Sequence, residues 1–229
     1  MEDFNKVHRT YQKINTLYKR DERGKIVIGD FSKEEFGYLF DNMWLAFEKV
    51  DGTNMSWYWD GHEMQIHGKS ERASIPKSLT DKMLKILPIE KLKETFPPKF
   101  DEEGNEVPFL VRIYGEGYGK SIQSCGGNYL KNDVNIKIFD IMIDGWWLKW
   151  DDVKDICGKL NLETVPEFGE MTLREAEEIV QKGFKSTTAE NKDFNAEGLV
   201  LRPIVPLCDR KGDRVIVKIK TCDYRKIGK

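Results

Sequence analysis

Apolar residues first fall into a helical rhythm at Phe36, Leu39 and Phe40, behind Ser32 and Glu35, which stand at the spacing of a capping box. That pattern predicts a short helix ending near Asn42. The rhythm changes to strand type over Trp44 to Lys49 and Met55 to Trp59, and Asp60-Gly61 is a hairpin turn signal leading into Glu63 to His67. Ser78 to Leu87 reads as helix, and Phe109 to Tyr114 and Asn135 to Ile143 as buried strands. Asp144-Gly145 offers a second hairpin turn into Trp146, Trp147 and Leu148. Asp151 is placed to cap a helix running to about Leu160. Thr172 and Glu175 form a capping box for a helix carrying Leu173, Ala176, Ile179 and Val180, which Gly183 ends. Ala196 to Arg202 and Val215 to Thr221 return to strands, while Phe96 to Pro108 is a loop by its prolines and charges. Strands, then helices, then strands, with no regular alternation, predict an α+β fold whose largely antiparallel sheets are flanked by helices.

Composition narrows the class. The chain has 229 residues, 39% hydrophobic and 33% charged, enough to bury a core and too apolar for intrinsic disorder. No repeat or linker divides it, so residues 1–229 read as a single domain. Lys and Arg number 37 against 39 Asp and Glu, a net charge of -2, so any polyanion site must be a local patch. Cys125, Cys157, Cys208 and Cys222 form no CxxC pair and no zinc-finger spacing, which points to a reducing compartment. The opening MEDFNKVHRTYQKINTLYKR has no apolar run for secretion and no stretch is long enough to span a membrane, so the expected location is cytoplasmic.

Five short segments carry residues suited to chemistry. Lys49 in KVDG stands where a strand must turn, and a lysine amine made neutral in a desolvated pocket is a nucleophile, phosphorus being one electrophile it can attack. Glu116 lies among Gly115, Gly117 and Gly119, where backbone can approach a ligand closely and a carboxylate can hold a ribose hydroxyl or a metal. Phe139 sits in an apolar strand, either as core or as a surface on which a base stacks. Glu197 beside Gly198 opens an apolar strand, a position at which a carboxylate needs a cation. Lys218 and Lys220 alternate with Val217 and Ile219, so the strand period puts both ammonium groups on one face, where they either stand in water as on any amphipathic strand or attract an anion.

Taken in order, KVDGTN from Lys49, YGEGYG around Glu116, KIFDI around Phe139, EGLV at Glu197 and KIK from Lys218 to Lys220 resemble the motif series of the covalent nucleotidyltransferases. That superfamily holds ATP-dependent DNA ligases, RNA ligases and capping guanylyltransferases. Asn54, where DNA ligases usually carry arginine, resembles the RNA ligase 2-like branch. YQKINTLYKRDE, HGKSERASIP and the GGNY of Gly126 to Tyr129 resemble its short phage-type members.

The resemblance implies an ATP-grasp-like ligase adenylation domain and an ATP-dependent RNA ligase. Lys49 would attack the α-phosphorus of ATP to form lysyl-AMP, and AMP would pass to a 5′-phosphate end and be displaced by a 3′-hydroxyl. Glu48, Lys49, Asp51, Asn54, Glu116, Phe139, Glu197, Lys218 and Lys220 would bind the nucleotide, with Lys49, Lys218 and Lys220 catalytic. Within that set Glu116 would contact the ribose, Phe139 would stack on adenine, and Glu197 would help place magnesium or manganese. Lys69, Ser70 or Arg72 would fill a motif after the first hairpin. Arg112 and Lys120 flank the Glu116 loop, either meeting phosphates of the end being sealed or standing as surface charges, and are left out of the catalytic set; Lys131, Lys137, Lys185, Lys192, Arg202, Arg210 and Arg214 are candidates for a phosphate path.

Only Cys222 to Lys229 follow the last strand, so no C-terminal OB-fold domain is expected. A protein partner, or the RNA itself, would make up the missing grip on RNA strand ends or a nicked duplex. Competing readings are a DNA-sealing or capping relative with the same lysine, and a non-catalytic nucleic-acid or nucleotide-binding module using Phe139 and the tryptophans Trp44, Trp57, Trp59, Trp146 and Trp147.

Overall fold

The computed structural model describes residues 11–70 and 74–225. In chain order its elements are β1 (Asn15–Thr16), β2 (Tyr18–Arg20), β3 (Ile26–Phe31), α1 (Glu34–Tyr38), β4 (Met43–Glu48), β5 (Thr53–Trp59) and β6 (Met64–Gly68). There follow α2 (Lys77–Ile86), α3 (Ile89–Thr95), β7 (Lys99–Phe100), β8 (Glu106–Val107), β9 (Val111–Gly119), α4 (Gly126–Tyr129), β10 (Val134–Ile143) and β11 (Trp146–Trp147). The remaining elements are α5 (Trp150–Leu160), β12 (Glu167–Thr172), α6 (Leu173–Lys182), β13 (Gly198–Pro203), β14 (Val217–Lys220) and α7 (Thr221–Tyr224). These mixed helices and antiparallel sheets make the fold α+β. The chain divides into two compact units, one of Tyr11 with Asp51–Thr164 and the other of Gln12–Val50 with Val165–Arg225.

The first unit is built on an antiparallel sheet of order β11-β10-β9-β5-β6. The two-residue period sorts its side chains: Met55, Trp57 and Trp59 lie on one face with Val111 and Ile113, all buried, while Asn54, Ser56 and Tyr58 share the other with Arg112, Tyr114 and Glu116. Trp59 Nε1 donates to the carbonyl of Phe96 at 3.1 Å, which satisfies the polar edge of a fully buried indole. Trp44, Trp57 and Trp59 are thus core residues, whereas Trp146, beyond the positive-φ turn at Asp144 and Gly145, is 79% exposed.

The second unit carries a sheet of order β1-β14-β13-β4-β12, antiparallel except that β1 runs parallel to β14. Trp44, Ala46, Leu199, Leu201, Val217 and Ile219 from its strands pack with Leu173, Ala176 and Val180 of α6 and with Phe36. Each Val, Leu, Ile or Phe side chain among them contributes about 1.5–3 kcal/mol by leaving water.

Two capping expectations fail and one holds. Glu175 N donates to Thr172 Oγ1 at 3.1 Å and Thr172 N to Glu175 Oε2 at 2.8 Å, closing the box on α6. The Ser32 hydroxyl instead donates to the carbonyl of Thr16, so Lys33 begins α1 without a side-chain cap and the helix stops at Tyr38. Helix α5 begins two residues earlier than expected, at Trp150, with Lys149 in the cap position. Asp151 therefore lies in its first turn, where its charge meets the positive end of the helix dipole, and pairs with Lys154 at 3.0 Å.

The expected loop at Phe96 to Pro108 contains the ribbon β7–β8. Its turn, Asp101 to Asn105, recurs at Asp21 to Lys25 and Asp209 to Asp213. In each D-x-x-G-x stretch the aspartate Oδ1 accepts from the amides two and four residues on, and the glycine has positive φ.

A buried polar cluster fastens α7 in the second unit. Tyr18 and Tyr224 donate their hydroxyls to Glu177 at 2.8 and 3.2 Å, and Arg20 grips Asp223 with contacts of 2.9 and 2.7 Å. Burial, with the hydrogen bond and charge of Glu177, raises both tyrosine pKa values well above the ordinary one. A folded-state pKa raised above the unfolded value supplies stability that is whole below the unfolded pKa and lost as pH climbs toward the folded one. The protein should therefore weaken above about pH 10. Urea titrations across that range should show a shallower decline for Tyr18→Phe than for wild type; equal slopes would refute the assignment.

Candidate active site

The candidate residues fall into two groups, one on each unit. In the second unit, Lys49 directly follows β4, and its amide donates to the carbonyl of Gly198 at 2.9 Å. Its Nζ meets Glu197 Oε2 at 2.5 Å, while Lys220 Nζ meets Oε1 of the same carboxylate at 2.6 Å. The cation that Glu197 needs is thus supplied twice, from the ends of β4 and β14. Val217 and Ile219 point into the core and Lys218 and Lys220 stand half-buried on the opposite face, as the alternation predicts. Burial works against the charge on Lys220, but the hydrogen bond and charge of Glu197 outweigh it and lift its pKa above the ordinary lysine value. Lys218 stands opposite Val200, two pairings further along and on the same strand face as Lys220, while Lys49 and Lys220 put two ammonium groups on one carboxylate, a surplus that favours an anionic ligand.

Backbone contacts fix this cluster. Thr221, buried, donates its amide to the Glu197 carbonyl at 2.8 Å and its hydroxyl to the Ala196 carbonyl at 3.1 Å. A Cβ on Gly198 would lie 1.9 Å from the Ile219 carbonyl oxygen, so the glycine of EGLV lets the strands bearing Glu197 and Lys220 close on each other.

Glu48, expected among the nucleotide contacts, is 1% exposed and engaged within the unit. It accepts from the Ser186 hydroxyl, from Thr187 N at 2.9 Å and from Thr187 Oγ1 at 2.6 Å, tying that loop to the strand that ends at Lys49. Glu48→Ala should cost about 3 kcal/mol in chemical denaturation and Glu48→Gln clearly less, because it keeps an acceptor for Thr187. Similar losses for both variants would contradict the role given to these bonds.

In the first unit Asp51 opens the turn. Its amide donates to the Tyr129 hydroxyl at 3.0 Å, and its Oδ2 accepts from Cys125 Sγ at 2.9 Å. A Cβ on Gly52 would lie 2.1 Å from the Gly117 carbonyl oxygen, so the glycine of KVDG lets that turn close on β9, while a Cβ on Gly117 would meet the Leu79 side chain at 2.3 Å. Asn54, Glu116 and Lys137 stand abreast on β5, β9 and β10, with Lys137 Nζ also 2.7 Å from Glu163. Phe139, half-buried, occupies a bulge of β10, where the pairing steps from Ile138 to Asp140.

Other candidates take different places. Lys69 and Ser70 are exposed just beyond β6, and Arg72 lies outside the described residues. Lys120 is exposed, but Arg112 is 3% exposed, stacked over Tyr58 at 5.2 Å, which makes it a core residue rather than a surface charge. Of the phosphate-path set, Lys185 and Lys192 bind carbonyls of their own loop, Arg202 covers Phe47 at 4.7 Å and Arg214 is buried. Among the described residues no helix is long and apolar enough to cross a membrane, and no three His, Cys, Asp or Glu side chains are grouped to hold a metal.

The residues missed from sequence are Ser186, Thr187, Thr221 and Tyr129. Only Tyr129 carried a signal, its place in GGNY.

The fold and the ordered motifs define a nucleotidyltransferase fold of the ligase type. Residues 42–220 match the RNA ligase family over most of the chain, and the chain belongs to that family. No curated protein sequence matches it significantly. Solved structures of an RNA ligase from Naegleria gruberi share the fold. A mutant in the apo form aligns with TM-score 0.59 and 17% identity over 85% of this chain and 54% of that one. A mutant with ATP and Mn gives 0.60 and 19% over 84% and 54%, and the ligase with PPi gives 0.60 and 18% over 95% and 63%. The chain thus spans between 54% and 63% of the length of these relatives.

Proposed function

We propose that the chain is an ATP-dependent RNA ligase in which residues 1–229 form one adenylation domain. The observation that carries this reading is the Lys49–Glu197–Lys220 cluster, with contacts of 2.5 and 2.6 Å, in a member of the RNA ligase family. Lys49 Nζ must be neutral before it can attack, and Lys218 and Lys220 nearby, with a divalent ion held at Glu197, would favour the neutral amine over the ion pair. The amine then bonds to the α-phosphorus of ATP while the bond to pyrophosphate breaks, leaving lysyl-AMP. Lys218 and Lys220 offset the charge that builds on phosphate oxygens. Glu116 and Asn54 hold the ribose, and Phe139 stacks on the base. AMP next moves to a 5′-phosphate, and attack by a 3′-hydroxyl seals the RNA and frees AMP.

The Naegleria relative is solved with ATP and Mn, which supports the same requirement here. A hard divalent ion commonly takes one or two carboxylates and completes its shell with phosphate and water, so a lone Glu197 suits it. When bound, such an ion withdraws charge from phosphate oxygens. RNA ends, a nicked duplex, or a protein partner that steadies them are the expected company.

The test is incubation of the purified protein with magnesium or manganese and ATP labelled in the α-phosphate, beside GTP, followed by denaturing electrophoresis and a panel of nicked and single-stranded RNA and DNA. Covalent label from ATP with sealing of RNA is the expected result. Label from GTP would make it a capping relative, sealing of DNA alone a DNA-sealing one, and RNA binding without label a binding module.

A further inference from the structure

We propose that Tyr11 is a positioning residue that holds the Phe139 ring ready for a nucleobase; this rests on Phe139 being the stacking surface. Phe139 lies in the bulge of β10. The pairing with β9 runs from Ile138 opposite Gly115 to Asp140 opposite Tyr114 and passes Phe139 over, so the sheet register does not set the direction of its ring. Tyr11 does so from outside the sheet. Its ring meets Phe139 edge-on at 5.0 Å and an interplanar angle of 75°, and its hydroxyl donates at 2.7 Å to Asp140, the next residue, which is 1% exposed.

Tyr11 is held in turn by Tyr114 at 5.2 Å and Trp147 at 5.6 Å, so the two contacts onto β10 come from a fixed ring. The family match begins at residue 42, which leaves Tyr11 outside it. The YQK of the opening segment thereby acquires a role, with Gln12 serving the second unit by bonding both backbone groups of Arg214 at 2.8 and 3.1 Å.

The experiment uses the full chain carrying Lys49→Ala, so that bound nucleotide is not captured covalently, and measures dissociation constants by equilibrium dialysis for ATP and for inorganic triphosphate, which lacks the base. Tyr11→Ala should weaken ATP about three- to tenfold, the worth of an edge-to-face aromatic pair, and leave triphosphate unchanged. Tyr11→Phe should fall between, and Tyr11→Ala should add nothing to Phe139→Ala. If Tyr11→Ala unfolds the chain, Tyr11→Leu replaces it, filling space without the edge contact or the hydroxyl.

Equal weakening of ATP and triphosphate, or additive losses in the double variant, would overturn the proposal. So would an unchanged ATP affinity in Tyr11→Ala beside a weakened one in Phe139→Ala, with the stacking role left standing. ATP binding untouched by Phe139→Ala would bring down that role and the proposal together.

Discussion

Lys49→Ala should remove covalent label from ATP by at least about a thousandfold, because no other group replaces the nitrogen that forms the bond. The variant should still fold. Glu197 keeps Lys220 at 2.6 Å when Lys49 is gone, so its half-buried carboxylate is not left without a cation. Lys49→Arg should fail equally, since a guanidinium stays protonated and cannot act as a nucleophile. The checks are α-labelled ATP and denaturing electrophoresis beside a thermal melt. Label persisting in a folded Lys49→Ala protein would place the nucleophile elsewhere.

Gly198→Ala should be the most damaging of the small substitutions. The added methyl would sit 1.9 Å from the Ile219 carbonyl oxygen, and no flexible side chain is there to yield, only the backbone of β14. Either the strands part, losing the Thr221 bonds to Ala196 and Glu197, or the chain fails to fold. The expected cost is about 3–5 kcal/mol, read by chemical denaturation, or loss of soluble protein. Gly127→Ala is the control: it lies in α4 with nothing within 4 Å of its Cβ position, and it should leave stability unchanged or raise it by up to about 1 kcal/mol. A Gly198→Ala protein as stable as that control would refute the close approach.

These effects show which parts of the molecule could be read from the chain. In VIVKIKT the period of two placed Val217 and Ile219 inward and both lysines outward without any knowledge of neighbours, because a strand's faces are a local property. Glu197 announced a need for a cation, but Lys49 lies 148 residues away, and no local pattern names such a partner. Glu48 shows the same limit. The resemblance put it among the nucleotide contacts, and no local pattern foretells that both its oxygens also accept hydrogen bonds from Ser186 and Thr187.

The two capping boxes differ only in context. Thr172 keeps its hydroxyl for its own helix, whereas Ser32 gives its proton to Thr16, on a two-residue strand that pairs in parallel with β14. Helix α3 and strand β12 were missed because one is only about two turns long behind Pro88 and the other, EFGEMT, is a polar edge strand with a glycine and a register shift. The thrice-used D-x-x-G-x turn went unread, although its hydrogen bonds lie within five residues and its aspartate and glycine recur at fixed spacing.

The interleaving of the two units has a consequence for biosynthesis. Asp51–Thr164 is one uninterrupted stretch and can settle as soon as it leaves the ribosome. Strand β4 is made before it, yet its partners β12, β13 and β14 all come after. A nascent chain therefore exposes Lys49 early and holds it without Glu197 or Lys220 until the entire intervening unit has been translated. Chains that stall before β13 lack Glu197 and Lys220 and so cannot assemble the ion pairs around Lys49.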